Sequence, residues 1–201
     1  MGRSLMWTSG PSILPQIRVN EMAITLRIPD DKDTKQMWIE EHRLGPTANW
    51  RLGGSTVSLE EFAELIWKGT LLQVVVARDT DPARLLGVVA AYDYNPWDRW
   101  CRLGYCSYVN NGVSASIAFA IVVDRLFSDL PLQKIYVEVI APHRAKSERV
   151  LGRIAQRQGT IRSYRFFDGE WVDLDVWAIT RASWSSPDLP RLRRLEAVYG
   201  R

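Results

Sequence analysis

The stretch from Trp100 to Asp129, "WCRLGYCSYVNNGVSASIAFAIVVDRLFSD", decides how the rest of the chain is read. Its first part, "WCRLGYC", reads as a strand, and its last, Ser116 to Asp129, as a helix apolar on nearly every side. A helix of that composition is too apolar to face water and belongs inside the fold. Between the two lies a loop of small and polar residues, Tyr108, Val109, Asn110, Asn111, Gly112, Val113, Ser114, Ala115 and Ser116. A loop that enters a helix leaves the first-turn N–H groups without intrahelical partners, and the helix dipole adds partial positive charge there. Phosphates suit such a place. Gly112 permits close approach of the backbone, while Ser114, Ala115 and Ser116 keep bulk out of the way. The plainer reading makes Ser114 or Ser116 an ordinary N-cap, and the loop taken alone favours it. The loop is neither a P-loop, since no Lys follows the glycine, nor a dinucleotide fingerprint.

Working outward, Lys134 to Ile140 ("KIYVEVI") is a strong strand, so Arg99 to Ile140 predicts a parallel strand pair with a right-handed crossover. Upstream, "LLQVVVARD" and "RLLGVVAAYDY" are strands joined by "TDPA", and "NPWD" turns the chain into the next strand. Before them come a first strand, "AITLRIP", a helix through "TKQMWIEEHRL", and a second helix in "SLEEFAELIWKG". In that second helix Ser58 and Glu61 have capping-box spacing, with Gly69 at its end. Downstream, "APHRAKSERVLGRIAQRQG" predicts a last helix with Gly159 just beyond it. "TIRSYRFF" and "WVDLDVWAIT" then form a hairpin with Asp168-Gly169 at its tip. The order implies an α+β fold, a mixed and mostly antiparallel sheet of about seven strands with about four helices. Residues 1–22 read as an irregular extension, 23–184 as the folded domain, and 185–201 as a basic tail.

The 201 residues, 46% apolar and 24% charged, are ordinary for one globular domain. A net charge of +3 is too mild to be the footprint of an obligate nucleic-acid binder. No apolar run is long enough for a helical membrane span, and the first residues lack a secretory core. Cys101 and Cys106 sit five apart in one strand and so point to opposite faces. That spacing disfavours a disulfide, and no cysteine and histidine set suits a metal; a reducing cytoplasmic compartment follows.

Four stretches carry a resemblance. "LGYCSYV" looks like a strand often written I-G-Y-W-L, and "ITLRIPDDKD" fits the first strand of the same pattern. "VIAPHRAKSERVLGRI" is similar to P-x-N-x-x-S-x-x-V-L through Pro142, Ser147, Val150 and Leu151. "YRFFDGEWVDLDVWAITRASW" matches a closing hairpin through Gly169, Asp173, Trp177, Ile179 and Trp184. Together, from about Ala23 to Trp184, they resemble the GNAT superfamily of acetyl-CoA-dependent N-acetyltransferases, on the branch that includes ribosomal-protein N-terminal acetyltransferases.

The resemblance implies acetyl-CoA as co-substrate, its pyrophosphate held by main-chain amides from Tyr108 through Ser116. Two departures stand out: the loop is short and lacks the family's basic residue, and Arg144 replaces the usual Asn. Arg144 could pair with a CoA phosphate, with His143 beside it as a contact, or could be a solvated arginine. Transfer to an amine needs a base, and the resemblance assigns that role to Glu138, flanked by Val137 and Val139. A glutamate so placed could equally be paired with an arginine of the adjacent helix. Relatives use a last-helix tyrosine to reprotonate the thiolate; here Val150 and Leu151 occupy that helix. Either the thiolate leaves unaided, or Ser147 or a tyrosine elsewhere serves, and one of Tyr92, Asp93, Tyr105 and Tyr108 on the central strands could face the acceptor. The implied reaction is direct attack by a primary amine, on a small molecule or a protein N-terminus, in a ternary complex. Two other readings are a non-catalytic member of this fold that binds CoA or a partner, and an enzyme acting on an RNA-borne amine. A soluble monomer or homodimer is expected.

Overall fold

The computed structural model describes residues 17–19, 22–44, 56–109 and 112–186, with side chains from 24 and from 115 where those segments begin earlier. Eight strands form one sheet in the order β1-β2-β3-β4-β5-β6-β8-β7. The strands are β1 (Ile17–Val19), β2 (Met22–Arg27), β3 (Thr70–Arg78), β4 (Asp81–Asn95), β5 (Trp100–Ser107), β6 (Lys134–Ile140), β7 (Gln156–Phe167) and β8 (Glu170–Thr180). The helices are α1 (Asp31–Leu44), α2 (Leu59–Leu65), α3 (Gly112–Asp129), α4 (Arg144–Leu151) and α5 (Arg181–Trp184). All neighbouring strands are antiparallel except β5 and β6, joined through α3 as the sequence predicts. The α+β reading therefore holds, with Ile17–Val19 adding a short strand inside the stretch read as irregular.

Alternation along the central strands builds two cores. Val74 and Val76 of β3, with Val89, Cys101, Leu103, Ile135 and Val137, face α3 and the ends of α4 and α5. Val75 and Ala77, with Val88 and Cys106, face Met37 of α1, Phe62 of α2 and Ile66 just after it. Both faces are covered, which is why β3 and β4 read as unbroken apolar runs rather than alternating ones. α3 is apolar on most of its surface because it fills the larger core: Ala118 through Val123, Leu126 and Phe127 are all buried, and Asp124, Arg125, Ser128 and Asp129 face out. Each large side chain so buried stabilises the fold by about 1.5–3 kcal/mol.

Local chemistry sets the ends of the elements. The Ser58–Glu61 capping box opens α2, each residue's backbone N–H donating to the other's side chain at 3.0 and 3.2 Å. Asp168 and Gly169 both have positive φ, as a two-residue hairpin of the tightest kind requires. One prediction fails: α4 stops at Leu151, and Gly159 lies within β7 instead of following a helix. Beyond Gly152 the residues Gln156 to Thr160 gain a partner strand in β8, and that pairing overrides the helical spacing of the arginines. β7 is the sheet's edge, exposed along most of its length.

Candidate active site

β5 and β6 are in register at only three positions, Trp100↔Lys134, Cys101↔Ile135 and Arg102↔Tyr136. Beyond them each strand continues paired on its outer side alone, Leu103–Ser107 with β4 and Val137–Ile140 with β8. Their facing edges run on without a ladder between them, so main-chain N–H and C=O groups line an opening at the carboxyl ends of the only parallel pair in the described sheet. Open sheets of this kind bind ligands at the carboxyl ends of such strands, where neighbouring connections diverge. Two helices begin there. α3 starts at Gly112 shortly after β5, and α4 at Arg144 after a 3-10 turn, Ala141–His143, that ends β6.

α3 begins four residues earlier than the sequence predicts. Gly112, Val113, Ser114, Ala115 and Ser116 are its first residues, so neither serine is an N-cap, and the small side chains belong to the helix's opening turn and a half. Asn110 and Asn111 lie outside the described residues. Tyr108 turns away from this mouth: its ring is buried in the core beneath α1 and α2, and its hydroxyl donates to Glu41 Oε1 at 3.1 Å. Burial and then the Glu41 carboxylate hold that hydroxyl far above the usual tyrosine range. Arg43 donates to the Tyr108 carbonyl at 3.0 Å, which ties α1 to the end of β5. Val109 packs against the larger core, and its carbonyl accepts a hydrogen bond from Ser107 Oγ.

At the foot of the opening, where the ladder ends, stands a three-residue charge cluster. Arg102 of β5 donates from Nη1 to Asp93 Oδ2 of β4 at 2.5 Å, and its Nε forms an ion pair with Glu138 Oε1 of β6 at 2.9 Å. Its guanidinium also lies 5.7 Å from the Trp100 ring centroid, and Trp100 meets Tyr136 edge-on. Burial disfavours the charge on Arg102, but the Asp93 hydrogen bond and the Glu138 carboxylate outweigh it and raise the pKa. Glu138 is thus paired with an arginine, from the neighbouring strand rather than from a helix. The cluster lies on the α1–α2 face, since Arg102 is in register with Tyr92 and Tyr136.

A second cluster forms where α4 begins. Arg144 donates to Asp175 of β8 from Nε at 2.6 Å and Nη2 at 3.3 Å, and Arg157 and Thr160 of β7 donate to Asp175 Oδ1 at 2.5 and 2.7 Å. The Asp175 side chain is fully buried. Burial works against its charge, but hydrogen bonds from Arg144, Arg157 and Thr160 bring its pKa down to about 2. His143 lies edge-on to Phe167, 5.9 Å between centroids, and partial burial followed by Lys146 lowers its pKa. Ser147 is half-buried on α4.

Glu138 stands on β6 just past the end of the ladder, whereas His143 and Arg144 make their contacts with β7 and β8, and the Tyr108 ring is buried under α1 and α2. Sequence reasoning missed Arg102 altogether. Its signal was present: a charged residue between Cys101 and Leu103, on the strand face that Glu138 would share only if β5 and β6 pair in this register. Tyr105 packs against the larger core. Its hydroxyl lies 2.7 Å from where a Cβ on Gly87 would stand, on the β4 side, away from the opening. Burial raises its pKa to about 12.

No family model and no curated protein matches this chain. Solved structures do. A variant of the spermidine N-acetyltransferase SpeG from Vibrio cholerae superposes with a TM-score of 0.69 at 18% identity, covering 81% of this chain and 96% of that one. The Vibrio cholerae spermidine/spermine N-acetyltransferase SpeG in complex with manganese ions gives 0.66 at 19%, over 80% and 94%. A SpeG chimera with hSSAT gives 0.67 at 20%, over 80% and 97%. The chain accordingly shares the fold of these N-acetyltransferases. These neighbours are polyamine enzymes and lend the ribosomal-protein branch no support.

Proposed function

We propose that this chain is an acetyl-CoA-dependent N-acetyltransferase that moves an acyl group to a primary amine by direct attack in a ternary complex. The observation that carries the proposal is the arrested ladder between β5 and β6. An extended ligand with amide groups can complete the Leu103–Ser107 edge as an added strand, which is how unpaired sheet edges recognise extended chains. The pantetheine arm of CoA has that chemistry. Its diphosphate then falls at the opening turn of α3, where backbone N–H groups and the helix dipole favour anions, and where glycine and small residues stand. Arg144, at the start of α4, adds positive charge on the other side. The chain's residues thus fit the co-substrate, which supplies an activated acyl group on sulfur.

The chain's own part in the reaction is positioning and proton handling. A carboxylate on β6 at the foot of the opening, Glu138, lies beside the path along which a thioester would reach Arg102 and Tyr136. Glu138 takes a proton from the attacking amine, which must be neutral to react. Ser147 is the hydroxyl that relays a proton from solvent to the thiolate as the C–S bond breaks. The acceptor is a small cationic amine, as the neighbours' polyamine substrates suggest, or a protein N-terminus. The carboxylates of Asp93 and Glu138 outnumber the one guanidinium between them, which suits a cation. No described helix is long and apolar enough to cross a membrane. Cys101 and Cys106 are both free and on opposite faces, which supports a reducing cytoplasmic setting.

The test is calorimetric titration with acetyl-CoA together with thiol release over a panel of amines that includes spermidine and a short peptide. Wild-type protein binds with micromolar affinity, and Gly112→Glu abolishes binding by placing a carboxylate at the helix mouth. Unchanged affinity in that variant moves the diphosphate site elsewhere. One observation favours a non-catalytic CoA-binding protein instead, namely that Glu138 is already ion-paired. Tight binding with no thiol release from any amine would decide for it.

A further inference from the structure

Resting on the acetyltransferase reading, the geometry points to Arg102 as the residue that positions Glu138, with Asp93 in turn positioning Arg102. Three features of the fold converge on this. The main-chain ladder between β5 and β6 ends at Arg102↔Tyr136, so no backbone bond between these strands fixes their separation at Glu138. The Arg102 Nε–Glu138 Oε1 contact is the link across the strands just past that point. It engages one carboxylate oxygen, Oε1.

The second feature is how Asp93 gets there. Simple alternation would send Asp93 to the face opposite Tyr92 and Arg102. The β4–β5 register shifts between Tyr92 and Asn95, and Asp93 has φ of +52°, left-handed for an L-residue. Irregularities of this kind re-aim side chains, and strained positions gather where a side chain has a task. Here the irregularity delivers the Asp93 carboxylate to Arg102 Nη1. The Asp93 N–H is itself fixed on the Gly69 carbonyl at 3.1 Å, and Gly69 has φ of +67°.

The third feature is the fork. The guanidinium is planar, so the Nη1 hydrogen bond that anchors it on Asp93 also fixes where Nε stands against Glu138, which a lysine ammonium does not do. Trp100 beneath the guanidinium removes more of its freedom. The three residues thus form a relay across three strands, and its output is the placement of the Glu138 carboxylate.

The test compares wild type with Arg102→Ala, Arg102→Lys, Asp93→Asn and the Arg102→Ala/Asp93→Asn double variant, measuring kcat, the KM for the amine and the acetyl-CoA Kd. Misplacing a reacting group by about 1 Å costs about 100-fold in rate. Arg102→Ala should lose kcat on that scale and Arg102→Lys nearly as much, with acetyl-CoA Kd within about twofold of wild type. Asp93→Asn should lose about tenfold, and the double variant should be no worse than Arg102→Ala, because residues acting in series are not additive. Added methylguanidinium should restore part of kcat in Arg102→Ala, a response that lost packing alone would not give. Wild-type transfer with Arg102→Ala equal or faster, with additive losses, or with no methylguanidinium rescue overturns the inference and leaves the acetyltransferase reading standing. No transfer by the wild type overturns both.

Discussion

The two charge clusters invert one another. Around Asp175 a fully buried carboxylate is saturated by two arginines and a threonine hydroxyl. Around Arg102 one guanidinium serves two carboxylates, Asp93 and Glu138, whose side chains are 48% and 26% exposed. A buried charge is tolerable only when its hydrogen-bonding capacity is filled, and a filled carboxylate has nothing left for a substrate. The Asp175 cluster therefore fastens α4 and β7 to β8. The Arg102 cluster keeps carboxylate oxygens within reach of solvent, at the place where the sheet's ladder stops. Charge alone does not mark a site; the acceptor capacity left over does.

The sharpest way to break this contrast is Glu138→Gln. If Glu138 is the base, kcat at neutral pH falls by about 100-fold, within the usual range for loss of a general base. The half-exposed pair with Arg102 adds little to stability, so unfolding should shift by less than about 1 kcal/mol. Turnover and a urea titration on the same preparation check both halves. Unchanged turnover removes Glu138 from the chemistry.

Asp175→Asn should show the opposite pattern, with stability lost and turnover per folded molecule kept. Asn retains the shape but loses the charge that three donors share, so a loss of about 2 kcal/mol is expected. The pH dependence gives the sign. Asp175 has a pKa of about 2 in the fold against 3.8 for an ordinary aspartate. Its contribution is complete above about pH 4 and disappears as pH falls through about 2. The stability gap between wild type and variant should therefore close across that acid window, and a gap that persists at pH 2 would mean that shape, not charge, holds the cluster together.

This contrast also shows what the sequence could and could not disclose. "KIYVEVI" places Glu138 on a strand flanked by valines, and β6 runs from Lys134 to Ile140 as read. The parallel pair and the buried α3 follow from local apolar pattern in the same way. What local pattern does not carry is register. That Glu138 meets Arg102 depends on β5 pairing with β6 at three positions and no further, a fact of two strands 30-odd residues apart. Asp93 was visible as a strand residue, but its turn toward Arg102 depends on a backbone irregularity that alternation argues against. The end of α4 failed for a related reason. Gln156 to Thr160 have no strand signature of their own, and β8 recruits them.

Arg144→Ala is the smallest of these effects and separates the two clusters' roles most finely. Arg144 stands at the start of α4, beside the proposed cofactor, yet its Nε and Nη2 are both committed to Asp175. Removing it leaves Arg157 and Thr160 on that carboxylate, so the melting midpoint should fall, but by less than in Asp175→Asn. Its charge is largely balanced by Asp175, so what reaches a phosphate is a screened field and not a direct grip. Acetyl-CoA affinity should then weaken by about threefold or less, and the difference should shrink as salt is raised. A tenfold or larger loss that salt does not erase would mean that the guanidinium exchanges Asp175 for a phosphate when the cofactor arrives. In that event the second cluster would be part of the binding site as well as a fastening, and the contrast would hold only for the protein without its cofactor.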